Sequence, residues 1–258
     1  LPAHRWPLLR YSVTHLLSYA PGSLFPLNWS ARLMTIVTPL PPPAIPYANA
    51  SEADGPPSDQ TYETRLGEVL KEKFAVVYVG YSGAGYAAQT GIKEAIARDL
   101  KAICEERGRK DDVVVVAGGT PEGIGVVYEV ARDMRLATLG IVAEQGAQYA
   151  SANCETLVTV TNGDTNDWST RMPQSGEELV VTALRIANEQ GKGAQLLAYN
   201  GGPQAFVEAM AAAKAGYNVK IAHEHQAMKT DRPMPFNDPD KFSALIAAGA
   251  TLASPSES

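Results

Sequence analysis

Val113-Val114-Val115-Val116-Ala117-Gly118-Gly119-Thr120-Pro121-Glu122-Gly123-Ile124-Gly125 sets four consecutive β-branched residues directly before a glycine-rich turn. So short a β-branched run reads as a strand buried on both faces, and the glycines permit a sharp turn and close backbone approach to a ligand. Helical period follows. Ile124, Val127, Val130, Ala131 and Met134 share one face of a helix whose first turn begins near Gly123. Gly118, Gly119, Thr120, Gly123 and Gly125 therefore sit between a strand end and a helix start. In an open α/β sheet such a junction holds anionic groups, through unpaired amide N–H groups and the positive end of the helix dipole.

The same unit recurs on either side. Upstream, a helical stretch from about Thr61 through Leu66 and Leu70 leads into a strand over 74–79 that ends at Gly80. Tyr81-Ser82-Gly83-Ala84-Gly85-Tyr86 is a second glycine turn, ahead of a helix whose apolar face carries Ile92, Ala95, Ile96, Leu100 and Ile103. Downstream come strands over 136–143 and 155–161, then a polar loop from Asn162 to Gly176. Ser175 is the expected cap of the next helix, with Glu177 and Glu178 favouring its dipole and Leu179, Val180, Ala183, Leu184 and Ala187 as its core face. A fifth strand over 195–199 runs into Asn200-Gly201-Gly202-Pro203, with Pro203 suited to a first helical position and Phe206, Met210 and Ala213 expected to line that helix. A sixth strand at 218–222 and a last helix from Asp238, carrying Phe242, Leu245 and Ile246 as far as Gly249, complete the series. Strands alternating with helices predict an α/β fold: a doubly wound, mainly parallel, Rossmann-like sheet with helices on both faces.

With 258 residues, 45% of them hydrophobic and 19% charged, the chain has enough apolar surface for one sizeable core plus an extension. Residues 61–254 are the expected nucleotide-binding domain. Residues 1–60 are expected to form a disordered or extended tail, because Pro39, Pro41, Pro42, Pro43, Pro46, Pro56 and Pro57 defeat helix and central strand alike. Residues 1–33 contain no acid, and Met34 is a candidate translation start that would leave them outside the translated protein. A net charge of −6 argues against nucleic acid as the main partner, since neutralising phosphates needs clustered Lys and Arg. No apolar run reaches membrane-spanning length, and a cytoplasmic protein without membrane partners is expected. Cys104 and Cys154 fit no metal spacing, and Cys104 reads as a small buried hydrophobe.

Three strand-to-helix turns carry glycines: Gly80 to Gly85, with Ser82 and Gly83; Gly118 to Gly125; and Gly201 with Gly202. They are expected to converge on one crevice at the carboxyl end of the sheet and to bind a nucleotide or other small phosphorylated ligand there. Tyr81, Tyr86 and Trp168 suit either stacking on a base or ordinary packing. No metal and no cofactor are assigned. His223 and His225 point to opposite sides of an extended segment, and Asp164, Asn166 and Asp167 lack the spacing of a calcium loop. The turn at Gly80 lacks the Gly-x-Gly-x-x-Gly spacing, which leaves nicotinamide-dependent oxidoreduction a third choice.

From Phe74 to Ala222 the order of these turns resembles the Lonely Guy family of nucleotide-hydrolysing enzymes, within the SLOG superfamily of Rossmann-like nucleotide binders. The family signature is Pro-Gly-Gly-x-Gly-Thr-x-x-Glu. Here Asn200-Gly201-Gly202-Pro203-Gln204-Ala205-Phe206-Val207-Glu208 keeps both first glycines and the glutamate and departs at the proline, the third glycine and the threonine. The resemblance implies N-glycosidic hydrolysis of a nucleoside monophosphate by a homodimer, with Glu208 as the catalytic glutamate and Arg171, followed by Met172, as its arginine. Losing the Gly-Thr pair removes backbone and hydroxyl donors from the phosphate site, and Glu122 adds a repelling carboxylate. A non-catalytic nucleotide sensor is the alternative reading, and a structural protein that kept only the fold is the third.

Overall fold

The computed structural model describes residues 57–161, 167–227 and 233–253. The expected tail lies outside them except for 57–60, and Asp59 already opens the first helix, α1 (Asp59–Leu70). Ser58 caps it, its hydroxyl accepting from the Thr61 amide at 3.4 Å. The chain then alternates: β1 (Phe74–Gly80), α2 (Gln89–Arg107), β2 (Val113–Gly118), α3 (Val127–Met134), β3 (Ala137–Ala143) and β4 (Thr156–Val160). It continues through α4 (Leu179–Gln190), β5 (Ala194–Tyr199), α5 (Pro203–Lys214), β6 (Val219–Ile221), α6 (Pro239–Ala247) and β7 (Thr251–Leu252).

The seven strands form one sheet in the order β4-β3-β2-β1-β5-β6-β7, and all six pairings are parallel. The fold is thus the doubly wound α/β class that the alternation predicts. Strand side chains alternate between two cores. Val77 and Val79 of β1 and Val114 and Val116 of β2 pack with α1, α4 and α5; Val76, Tyr78, Val113 and Val115 pack with α2 and α3 on the other face. Both faces are covered, which is why the β2 run is apolar without interruption. Each valine so buried contributes roughly 1.5–3 kcal/mol of transfer free energy.

Several local expectations are corrected. The helix expected from Gly123 opens as a 3-10 turn, Gly123–Val126, before α3 proper. Ser175 does not cap α4. Residues 170–179 fold into a tight turn in which Leu179 N donates to Thr170 O and Met172 N to Glu177 O, each at 2.8 Å, so the helix starts later and Glu178 occupies the cap position. The inner face of α5 is Ala205, Ala209, Ala212 and Ala213, small enough to let the helix lie close to the sheet, while Phe206 and Met210 are only partly buried. On α6, Leu245 is buried and Ile246 exposed. Strand β7 is a two-residue addition that its sequence does not announce. No helix among the described residues is long and apolar enough to cross a membrane.

Candidate functional site

Because β2, β1 and β5 are parallel neighbours, the turns that follow them leave the same edge of the sheet side by side. The chain winds outward from β1 through β2, β3 and β4, and then returns to β1's other side with β5. The β1/β5 boundary is therefore the topological switch point of the sheet. Tyr86 fastens this boundary. Its hydroxyl donates to Tyr199 O at 2.9 Å and accepts from Tyr81 N at 3.2 Å, joining the ends of β1 and β5. Tyr81 and Tyr86 are both buried and pack edge to face at 5.2 Å, and Tyr86 also lines the smaller cavity described below.

Several of the turn glycines are required by the protein's own packing, two of them by close backbone approach. Gly123 has φ +58°, and a Cβ there would lie 2.0 Å from Tyr81 O, the carbonyl that accepts from Ile124 N at 2.6 Å. That approach seats the turn after β2 on the turn after β1. A Cβ at Gly125 would lie 1.9 Å from Thr120 O, at Gly201 2.6 Å from Ala205 Cβ, and at Gly119 2.6 Å from Leu157 Cδ1. At Gly83 and Gly202, by contrast, nothing lies within 4 Å.

A cavity of about 410 Å³ opens over the carboxyl ends of β1, β2 and β3. That is within the range of small-molecule and cofactor sites. Of the expected site residues, Gly80, Ser82, Gly83, Gly118, Thr120 and Glu208 line it together. Gly119, Gly123, Gly125, Gly201, Gly202 and Arg171 are not among its lining residues. Trp168 and Tyr149 stand at it with 57% and 56% of their surfaces exposed, although most large apolar side chains of the fold are buried. A second cavity of about 260 Å³ shares Ser82, Gly83 and Glu122 with the first and reaches towards the start of α2.

Glu208 stands on the inner face of α5 with 9% of its surface exposed, and it lines the larger cavity. A hydrogen-bonded series leads outward from it. Gln204 Nε2 donates to Glu208 Oε1 at 3.1 Å and to Glu178 Oε2 at 2.9 Å, and Arg171 Nε donates to Glu178 Oε1 at 2.7 Å. Burial pushes the Glu208 carboxyl up to about 7, with the Gln204 amide opposing the rise and the nearby Glu178 carboxylate adding to it. The hydrogen bond and charge of Glu178 hold the Arg171 guanidinium still more firmly protonated. Near neutral pH Glu208 is thus divided between acid and carboxylate, the condition in which one group can both take and give a proton.

Arg171 and Glu208 are therefore linked, but through two intermediaries. Sequence reasoning assigned neither of these to the site: Glu178 reads as a residue favourable to the helix dipole, and Gln204 registers only as a departure from a glycine. Tyr149 carries no sequence signal at all. Beyond β6, His225 stacks on Tyr199 at 5.2 Å and its Nε2 is buried, so desolvation lowers its pKa. Neither His223 nor His225 lines either cavity.

No family model matches the chain, and no curated protein matches it in sequence. Among solved structures it is similar to the molybdenum cofactor carrier protein of Chlamydomonas reinhardtii, at 16% identity over 71% of this chain and 91% of that one, with a TM-score of 0.45. It is similar also to the molybdenum cofactor binding protein of Rippkaea orientalis, at 16% identity over 71% and 90% of the two chains, TM-score 0.44. A third is PnC1 of L. infantum in complex with nicotinate, at 14% identity over 70% and 92%, TM-score 0.37. Likenesses of this size carry no argument about function, which rests instead on the site itself.

Proposed function

We propose that the larger cavity binds a nucleotide or nucleotide-derived ligand and that Glu208 acts there on the ligand's N-glycosidic bond. The observation that carries this is Glu208 itself: a carboxyl nine-tenths buried, raised to about 7, and facing a cavity at the carboxyl end of a doubly wound sheet. The resemblance of 200–208 to the Lonely Guy signature supports the same residue. Exposed Trp168 and Tyr149 suit the flat face of a base, since aromatic rings favour stacked or edge-on partners. In hydrolysis the C1′–N bond breaks with its electron pair going to the base, and positive charge develops on the sugar. Ionised Glu208 stabilises that charge, orients the attacking water and accepts one of its protons as the water oxygen bonds C1′, while the departing base takes up a proton from solvent. Release of free base, followed by chromatography, tests the proposal. Glu208→Gln is expected to lower the rate roughly 10²–10⁴-fold in a folded protein.

One observation favours a second reading, a nucleotide sensor without turnover. Arg171, the arginine of the resemblance, is held by Glu178 and is not among the residues lining the cavity. Ligand binding with no release of base would decide for the sensor. The resemblance also implies a homodimer, for which analytical ultracentrifugation is the test.

A further inference from the structure

The charges around the cavities narrow the class of ligand beyond the nucleotide-type reading, on which this inference rests. Among the described residues lining the larger cavity, the only charged ones are Glu122 and Glu208, and both are acids. Those lining the smaller cavity are Glu122 again and Glu129, whose carboxylate is already engaged by Lys93 at 2.9 Å. No Lys, Arg or His is among the described lining residues of either. Arg171 is turned to Glu178 instead. A phosphate commonly finds a second kind of seat at the start of a helix, and here α5 reaches the cavity with Gln204 and Ala205. That seat is reduced. Pro203 at the first position supplies no N–H, and the side-chain amide of Gln204 is spent on two carboxylates. A phosphate placed in the cavity would thus meet Glu122, and Glu208 in its ionised form, with no cation among the described lining residues between, and like charges at short range repel. The sugar hydroxyls and base amino groups of a nucleoside, by contrast, are hydrogen-bond donors, which carboxylates accept.

We infer that the site takes a nucleoside lacking a 5′-phosphate, neutral or positively charged on its base, in preference to the corresponding monophosphate. The smaller cavity reaches the start of α2 at Gln89, a second helix N-terminus, but there too the charged residues among the described lining are acids, Glu122 and Glu129, and they oppose a phosphate.

Calorimetric titration of the full chain at low ionic strength, with adenosine, guanosine, cytidine and uridine each compared with its 5′-monophosphate, tests the inference. The nucleoside of at least one pair is expected to bind threefold or more tighter than its monophosphate. A margin below threefold, or a monophosphate that binds more tightly, in every pair that binds overturns it while leaving the nucleotide reading intact. If no member of any pair binds, the nucleotide reading itself fails and the inference falls with it, a distinguishable result. Glu122→Gln supplies a second measurement. Glu122 lies on the surface at the start of a 3-10 turn and makes no capping bond there, so its replacement is compatible with the fold. The substitution should shrink the nucleoside-to-monophosphate preference, and a preference unmoved by it overturns the electrostatic argument.

Discussion

Replacing Glu208 by Gln should make the protein more stable above neutral pH, although it removes the residue proposed to act on the ligand. An ordinary glutamate titrates near 4.5, and burial raises Glu208 to about 7. Below 4.5 the carboxyl is protonated in both the folded and unfolded states and contributes no pH dependence. Between 4.5 and 7 the unfolded chain releases the proton while the folded chain keeps it, so stability falls as pH rises. Above 7 the loss is complete. At ~1.36 kcal/mol per pH unit, the interval from 4.5 to about 7 amounts to about 3 kcal/mol. Glutamine nearly matches the shape, retains an acceptor for the Gln204 amide and does not titrate. Urea unfolding of wild type and Glu208→Gln at half-unit steps from pH 4.5 to 8.5 measures the difference directly. The variant should gain about 3 kcal/mol on the wild type across that range, with most of the change between 5 and 7. A difference constant with pH, or one growing in the wild type's favour, would refute the claim that Glu208 is buried with an elevated proton affinity.

His225 contributes with the opposite sign. Desolvation lowers its folded pKa, so the unfolded chain takes up a proton first as pH falls through about 6.5, and stability is lost on acidification; His225→Phe should flatten that acid limb in the same unfolding series. Gly123→Ala forces a side chain into a left-handed turn and against Tyr81 O, and should cost at least about 1–3 kcal/mol in thermal unfolding. Gly83→Ala, with open space around it, should stay within about 0.5 kcal/mol of wild type. Arg171→Met strands the buried Glu178 carboxylate. Because the arginine side chain is half exposed, the expected cost is about 1–2 kcal/mol, below that of a fully buried pair, and Glu178→Gln in the same chain should recover part of it. Ligand binding beside Trp168 should change its fluorescence, and Trp168→Leu should weaken binding by roughly 1 kcal/mol if a base stacks there.

The order of elements was legible in the sequence because its signals are local. Four valines in a row specify a strand covered on both faces, apolar spacings of three and four specify helices, and glycines at 80, 118 and 201 mark the strand ends. That Glu208 is a candidate was legible too, through the resemblance of 200–208 to a family signature, and its place at the cavity came from the structure. What each glycine is for was not. Gly123 is explained by the carbonyl of Tyr81, about forty residues away in the chain, and only the packing of two adjacent turns brings them together. Helix α5 buries alanines rather than Phe206 because close packing on the sheet takes the small side chains inward, and the spacing of large apolar residues alone does not show which face that is. The link from Arg171 to Glu208 likewise depends on Glu178 and Gln204 meeting across 26 positions of chain. A sequence shows a charged residue's type and spacing; its proton affinity follows from burial and partners, which exist only once α4 and α5 have packed beside β1.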